Sequence, residues 1–203
     1  MRRYIRYIVF LVGIVLATLG VTLTLKSDIG TSPWDAIGFG LNNSLGMTTG
    51  FWLVIASAFA LIIAAVIEKR FPQILSFITA MLFGSGVDFW SSILRNLNAT
   101  SILNKYLIFF LGVIITSFGV AIYLLPRLPA NQIDHLMVTI KEKYNIKVMH
   151  AKLLVDSMCV FIAILFSGPI GIGTILATIL VGPIVNVFQE IINSRYNIMV
   201  GSI

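Results

Sequence analysis

The sequence predicts an all-α integral membrane protein with about six transmembrane helices, two short helices and two inverted-topology repeats. Of its 203 residues, 58% are hydrophobic and 11% are charged, whereas a soluble domain carries about a quarter charged residues. The mean hydropathy is +0.99. Several apolar runs are about 20 residues long, which is enough to cross a hydrocarbon core of ~30 Å. We therefore treat residues 1–203 as a single membrane domain.

Six apolar runs are predicted to cross the membrane. The first run follows a basic start and continues to Leu25, which is longer than the apolar core of a signal peptide and predicts a retained span. The six predicted spans are 7–25, 50–67, 74–94, 106–125, 152–168 and 173–192.

Two further segments, 31–45 and 130–145, are shorter and more polar than these spans. Each is predicted to begin a short helix, with Ser32 and Asn131 as N-caps and as further candidate residues for substrate or ion binding. Pro33 then occupies the first helical position, where its missing N–H costs nothing. A helix of about 13 residues covers only ~20 Å, so we expect these two helices to be re-entrant or interfacial. Counting both as spans would give eight crossings.

The basic residues indicate an orientation. Of the fourteen Lys and Arg residues, only Lys26, Arg95 and Lys105 fall outside the segments that can share one side of the membrane. Lys and Arg concentrate in cytoplasmic segments of membrane proteins, so we expect both termini to be cytoplasmic in a plasma membrane. The net charge of +6 is explained in this way without nucleic-acid binding.

The second half of the chain resembles the first half at a shift of 99 residues. After a one-residue deletion the similarity continues into the last span. The predicted repeats are 7–95 and 106–193. Three spans in each repeat would insert the second repeat upside down relative to the first, as in many transporters, whereas eight crossings would make the repeats parallel. The matched pairs include Tyr7 with Tyr106, Gly13 with Gly112, Gly20 with Gly119, Asp35 with Asp134, Gly84 with Gly182, and Asp88 with Asn186.

The repeat pairs two acids, Asp35 and Asp134, each near the start of a short helix. One interpretation is that they stabilise the positive ends of their own helices. The other is that they line a cavity and bind a cation, a proton or a substrate amine, because ionisable groups at membrane depth are costly. Their neighbours leave similar alternatives: Trp34 is an interfacial anchor or a stacking wall, and His135 is an interfacial residue or a proton relay.

Four more polar residues lie inside or near the spans. Asp88 and Asn186 each follow a glycine by four residues, which predicts either a structural hydrogen-bonded pair or the lining of a polar pathway. Lys152 and Asp156 are spaced i, i+4 and are expected to form a structural ion pair.

Catalytic and metal-binding patterns are missing from the sequence. Two histidines and the one cysteine, Cys159, lie far apart, and no phosphate-binding loop or nucleophile–base set is recognisable. We therefore expect no enzyme, no cofactor and no metal.

The predicted function is a secondary transporter or exporter of a small molecule that works by alternating access. The alternatives are a partner or scaffold for another membrane or secretion system, and a lipid-handling protein. Besides the small-molecule substrate, the expected partners are the lipid bilayer and a second copy of the chain in a homodimer.

The stretch "GTSPWDAIGFGLNNSLGMTTG" (30–50) resembles the region after the first span in the YczE/YyaS/YitT group of bacterial membrane proteins. "GPIVN" (182–186) is similar to a late Gly-Pro-x-Ile-Asp stretch of that group, with Asn186 in place of the Asp. "GSGVD" (84–88) keeps the Asp and lacks the Pro. The resemblance implies a multi-pass protein of the bacterial cell membrane with a transport or export role, and it assigns no substrate.

Overall fold

The computed structural model describes residues 2–69, 74–97, 99–128 and 131–200; within these ranges the side chains of residues 2, 3, 74, 75, 134, 148 and 194–200 lie outside the description. The secondary structure of the described residues is α-helical. The helices are α1 (Arg2–Lys26), α2 (Pro33–Leu45), α3 (Thr49–Glu68), α4 (Ile74–Ile93), α5 (Ile102–Leu124), α6 (Gln132–Tyr144), α7 (Val148–Leu165) and α8 (Ile172–Val200).

Four described helices are long and apolar enough to cross a membrane, which agrees with the composition of the chain. These segments are Tyr4–Lys26, Thr49–Glu68, Ile102–Leu124 and Ile172–Asn193. Many large apolar side chains on them are exposed, as expected for helices that face lipid. The predicted all-α class is therefore confirmed for the described residues, and the long apolar helices support the membrane assignment.

Local sequence explains where several helices begin. Thr48 precedes α3, and its hydroxyl oxygen accepts a hydrogen bond from the Phe51 N–H at 3.2 Å. Ser101 does the same for α5 through the Asn104 N–H at 3.2 Å. α6 differs, because Asn131 occupies the N-cap position but its side chain makes no capping hydrogen bond. The side-chain cap that the sequence predicts at Asn131 is therefore not formed.

The helix starts recur along the chain at nearly constant spacing. α2 and α6 both contain 13 residues, and they begin 99 residues apart, at Pro33 and Gln132. α3 and α7 also begin 99 residues apart. α4 and α8 begin 98 residues apart, which matches the one-residue deletion in the sequence alignment of the two halves. The order of helices in the first half thus returns in the second.

Two compact units each combine helices from both halves of the chain. Unit 1 is Met1–Ser32, Phe89–Leu128 and Gly171–Ile203, and it contains α1, α5, α8 and the last residues of α4. Unit 2 is Pro33–Asp88 and Pro129–Ile170, and it contains α2, α3, α6, α7 and the rest of α4.

In unit 1, α1 and α5 pack closely through glycines and run antiparallel. A Cβ on Gly13 would lie 2.8 Å from the Gly119 carbonyl oxygen, and a Cβ on Gly112 would lie 2.8 Å from the Gly20 carbonyl oxygen. Small residues permit such close helix contacts in membranes. Buried Thr18 donates a hydrogen bond to the Ile14 carbonyl in its own helix at 2.9 Å, so its hydroxyl is satisfied without a partner helix. The two glycine contacts exchange under the 99-residue shift.

In unit 2, the two short helices each pack against two longer ones. α2 packs against α7 and α3, while α6 packs against α3 and α7. At the 99-residue spacing, α2 corresponds to α6 and α3 corresponds to α7, so the contacts of α2 correspond to those of α6. Gly38 on α2 fits against the Leu53 side chain of α3, and Gly168 after α7 fits against Ala36 of α2. α2 is therefore held inside unit 2, with most of its first eight residues buried.

Candidate functional site

A cavity of about 330 Å³ lies among α2, α3, α6 and α7 of unit 2. Each of these four helices contributes to its wall. The sixteen lining residues are Trp34, Ile37, Leu41, Trp52, Ile55, Ala56, Phe59, Ala60, Ile63, Ile133, Leu136, Ile140, Val155, Met158, Cys159 and Ile162.

The cavity wall is built twice, once from each half of the chain. Fourteen of the sixteen lining residues form seven pairs whose members are 99 residues apart. Trp52 and Ile55 complete the wall from the first half alone. The two halves therefore contribute equivalent walls to one space. The seven pairs are Trp34 with Ile133, Ile37 with Leu136, Leu41 with Ile140, Ala56 with Val155, Phe59 with Met158, Ala60 with Cys159, and Ile63 with Ile162.

The residues that line the cavity differ in their exposure, and this distinguishes its inner wall from its opening. Ile37 of α2 and Leu136 of α6 are buried, as are Ala60 of α3 and Cys159 of α7. The exposed lining side chains all belong to α3 and α7: Phe59 is 63% exposed, Ile63 46%, Met158 55% and Ile162 36%. The cavity therefore opens between α3 and α7, and its closed end lies against the short helices.

Charged side chains lie beside the apolar wall. Lys152 Nζ is 2.6 Å from Asp156 Oδ2 on α7. Asp35, in the first turn of α2, is only 7% exposed. Asp35 directly follows Trp34, and Asp156 directly follows Val155; Trp34 and Val155 both line the cavity. These acidic residues therefore lie next to wall residues on two of the helices that enclose the cavity.

A second polar cluster joins the end of α3 to α6. His135 Nε2 lies 3.2 Å from Glu68 Oε1, and the Thr139 hydroxyl donates a hydrogen bond to the same oxygen at 2.5 Å. Sequence reasoning selected His135 and missed Glu68 and Thr139. The sequence does contain features that could have indicated this cluster. His135 and Thr139 are four residues apart on one helix face, and Glu68 is the last residue of an apolar span.

Asp134 can be placed only by its backbone. It is the third residue of α6, 99 residues after Asp35, and its side chain lies outside the described residues. Ser32, the other N-cap candidate, directly precedes α2.

The carboxylate of Asp88 binds the start of α3. Its oxygens accept hydrogen bonds from the Thr48 hydroxyl at 2.6 Å and from the Gly50 N–H at 2.7 Å. An anion at a helix N-terminus meets both free N–H groups and the positive end of the helix dipole. Asp88 does not line the cavity, and its position accounts for its charge in structural terms.

Asn186, the counterpart of Asp88, has a different environment. It is exposed on α8. Within the described part of the chain, a Cβ added at nearby Gly182 would have no neighbour within 4 Å, whereas one at Gly84 would meet the Gly50 carbonyl oxygen at 2.6 Å. The two halves therefore diverge at this position.

Trp34 lies on the cavity wall together with apolar residues that sequence reasoning did not select. Apolar candidates do not stand out in a membrane protein, because most residues around them are apolar too. The 99-residue shift was the available signal, since it connects seven pairs of them. Among the described residues, no group of His, Cys, Asp and Glu side chains could hold a metal ion.

Comparison with known proteins covers almost the whole chain. Residues 4–190 match the family described as "Family of unknown function (DUF6198)". The chain belongs to this family. All residues of the cavity wall and of both polar clusters lie inside the matched range.

Two relatives of this DUF6198 protein come from Bacillus subtilis (strain 168). The chain is 35% identical to the "Uncharacterized protein YyaS" over 192 residues, covering 94% of this chain and 96% of the relative. It is 32% identical to the "Uncharacterized membrane protein YczE" over 179 residues, covering 88% and 82%. The resemblance to the YczE/YyaS group is therefore confirmed. No solved structure matches the chain.

Proposed function

We propose that this DUF6198 protein is a secondary transporter or exporter, and that the cavity of unit 2 is its substrate site. The single observation that carries the proposal is the pairing of seven wall positions at 99-residue spacing. Substrate sites of repeat-built transporters lie where the two repeats meet and are formed partly by short or broken helices. The apolar wall suits a small molecule with a large apolar body.

The proposed topology has six spans, formed by α1, α3, α4, α5, α7 and α8, with α2 and α6 as short helices that do not cross. Three crossings in each half make the second repeat inverted relative to the first. The antiparallel contact of α1 with α5 supports this arrangement, because equivalent helices of inverted repeats run in opposite directions. The bacterial plasma membrane, with both termini cytoplasmic, is the proposed location.

The proposed mechanism is alternating access of one repeat against the other. The contacts of α2 with α7 and α3 have counterparts in those of α6 with α3 and α7. In one conformation the contacts of α2 would be tighter than those of α6, and in the other the contacts of α6 would be tighter. Switching between the two would open the cavity alternately to opposite sides of the membrane. No step of this cycle forms or breaks a covalent bond, so the proposal includes no enzymatic activity.

Asp35 is the proposed proton, cation or substrate-amine site, and Asp134 is its counterpart in the second repeat. Asp35 is 7% exposed, and ionisable residues inside membrane proteins commonly serve ion or proton pathways. The position of Asp35 near the cavity wall would couple its charge to an amphipathic cation in the cavity.

A flux measurement tests the proposal. Purified protein in proteoliposomes is given an inward or outward pH gradient, with tetraphenylphosphonium or ethidium as the lipophilic cation and an internal pH dye as the readout. We expect coupled flux for the wild type and its loss in Asp35→Asn. Asp28→Asn is the matched control, since the Asp28 side chain is 78% exposed and pairs with Lys105; this variant should keep wild-type flux.

Equal flux in wild type and Asp35→Asn would remove Asp35 from the mechanism. Folded wild-type protein without flux for either cation would remove the transport proposal and favour a partner or scaffold role. Lipid handling is a second candidate, which is favoured by the exposed apolar side chains at the opening between α3 and α7.

A further inference from the structure

The interior of the cavity has almost no groups that could form hydrogen bonds with water. Its lining side chains are apolar or aromatic apart from the Cys159 thiol, and the Trp52 indole N–H already donates to the Gly46 carbonyl at 2.7 Å. A buried water needs two to four polar partners, and an apolar cavity of about 150 Å³ stays dry and binds benzene. This cavity of about 330 Å³ has a similarly apolar wall, so an apolar occupant is favoured over water.

α3 is one of the described helices that are long and apolar enough to cross a membrane, and the opening lies near the middle of its length. Phe59 is ten residues after Thr49 and nine residues before Glu68, the two ends of α3. At 1.5 Å per residue, this places it about 15 Å from the start and about 14 Å from the end of the helix. A hydrocarbon core is ~30 Å thick, so the opening faces its centre. Met158 takes the equivalent position on α7.

The material that surrounds such an opening is lipid acyl chain. If the cavity were empty, its wall would lose the dispersion contacts that close packing supplies. Water would enter without hydrogen-bonding partners, whereas a methylene chain would make contacts of the kind it already has in the bilayer. The exposed side chains at the opening, Phe59, Ile63, Met158 and Ile162, are apolar, so they present no polar barrier to a chain that enters sideways.

We propose that the cavity of unit 2 is a binding site for an acyl chain of a membrane lipid, which enters laterally between α3 and α7. This inference goes beyond the proposed transport and depends only on the cavity. If the transport proposal also holds, the substrate is a hydrocarbon-bearing amphiphile that displaces this chain or takes its place.

The three tryptophans of the chain, Trp34, Trp52 and Trp90, provide the test. Trp34 lines the cavity, whereas Trp90 belongs to unit 1 and donates its indole N–H to the Val15 carbonyl at 3.0 Å. Full-length protein with Trp52→Phe and Trp90→Phe reports on the cavity. Protein with Trp34→Phe and Trp52→Phe reports on a site outside it. Both are reconstituted in phosphatidylcholine vesicles with or without bromine atoms at the middle of the acyl chains, because bromine quenches nearby indole fluorescence.

Filling the cavity is the decisive comparison. Ala60→Phe and Cys159→Phe introduce a ring into it from two different helices, α3 and α7, so loss of folding in one variant leaves the other. Ser157→Phe adds the same ring to an exposed position of α7 that does not line the cavity. We expect strong quenching of Trp34 by brominated lipid, reduced at least twofold by either filling variant and unchanged by Ser157→Phe. Quenching of Trp90 should be the same in all proteins.

A third arm needs no cavity mutation. Dodecane added to the brominated vesicles competes for the cavity, and it should lower the quenching of Trp34 more than that of Trp90. Trp34 quenching that resists filling and dodecane alike would overturn the proposal. If the wild type shows no cation flux but Trp34 quenching that the filling variants reduce, the transport proposal fails and the lipid site stands. If the wild type shows flux but its Trp34 quenching is unaffected by filling, the lipid site fails and the transport proposal stands.

Discussion

Removal of the Asp88 carboxylate should destabilise the protein by a predictable amount. In Asp88→Ala the Gly50 N–H loses its 2.7 Å acceptor, and the Thr48 hydroxyl loses its 2.6 Å acceptor. Gly50 is buried and lies in the first turn of α3, where backbone N–H groups have no partner inside the helix.

The magnitude follows from these two bonds. A hydrogen bond to a charged group contributes about 1.5–3 kcal/mol. The Thr48 bond is exposed and therefore contributes less, while the charge–dipole interaction at a helix start adds about 0.3–1 kcal/mol. We expect Asp88→Ala to lower the free energy of unfolding by about 2–3 kcal/mol. Asp88→Asn keeps one acceptor oxygen and should lose about 1 kcal/mol.

Asn186→Ala is the matched control, because it changes the equivalent position of the second half. Asn186 is exposed, and exposed substitutions usually change stability by less than about 0.5 kcal/mol. The assay is equilibrium unfolding in mixed micelles of mild detergent and SDS, followed by circular dichroism. Equal losses at Asp88 and Asn186 would refute the reasoning. So would an Asp88→Asn protein of full stability that has lost transport, since that result would make Asp88 functional rather than structural.

Two further predictions use similar matched positions. Gly112→Ala should cost about 1–3 kcal/mol of unfolding free energy by overpacking, because its Cβ would meet the Gly20 carbonyl oxygen at 2.8 Å. Gly182→Ala, with no neighbour within 4 Å of its Cβ in the described structure, should be neutral or stabilising in the same assay, and equal losses would contradict the α1–α5 contact. Lys152→Met should destabilise by about 1–3 kcal/mol, since it leaves Asp156, whose side chain is 19% exposed, without its cation. The double variant Lys152→Met/Asp156→Leu should recover most of that loss in a double-mutant cycle, and additive losses would contradict the pairing.

Helix positions were readable from the sequence because their determinants are local. Pro33 and the residues around it define the start of α2, and apolar runs of sufficient length define the spans. The similarity of the two halves also predicts that α6 begins 99 residues after α2, as it does. The pairing of Lys152 with Asp156 is local too, since one helical turn brings the two side chains to 2.6 Å.

Contacts between distant segments required the tertiary structure. The sequence left open whether Asp88 is structural, and only packing brings its carboxylate to the start of α3. The same holds for Glu68, which meets His135 of a helix 67 residues later. Such pairings depend on which helix faces come together, and a single sequence does not specify those faces.

The sequence by itself determined that this is a helical protein with apolar spans, and it predicted a repeat whose spacing the starts of α2 to α4 and α6 to α8 follow. The tertiary structure decided that apolar residues from both halves enclose one cavity, and that Asp88 and Asn186 have unlike environments. The physical reason is that a polar residue is conspicuous in an apolar chain whereas one apolar residue resembles another. The 99-residue shift relates Ile37 to Leu136, but only folding shows that both line the same cavity.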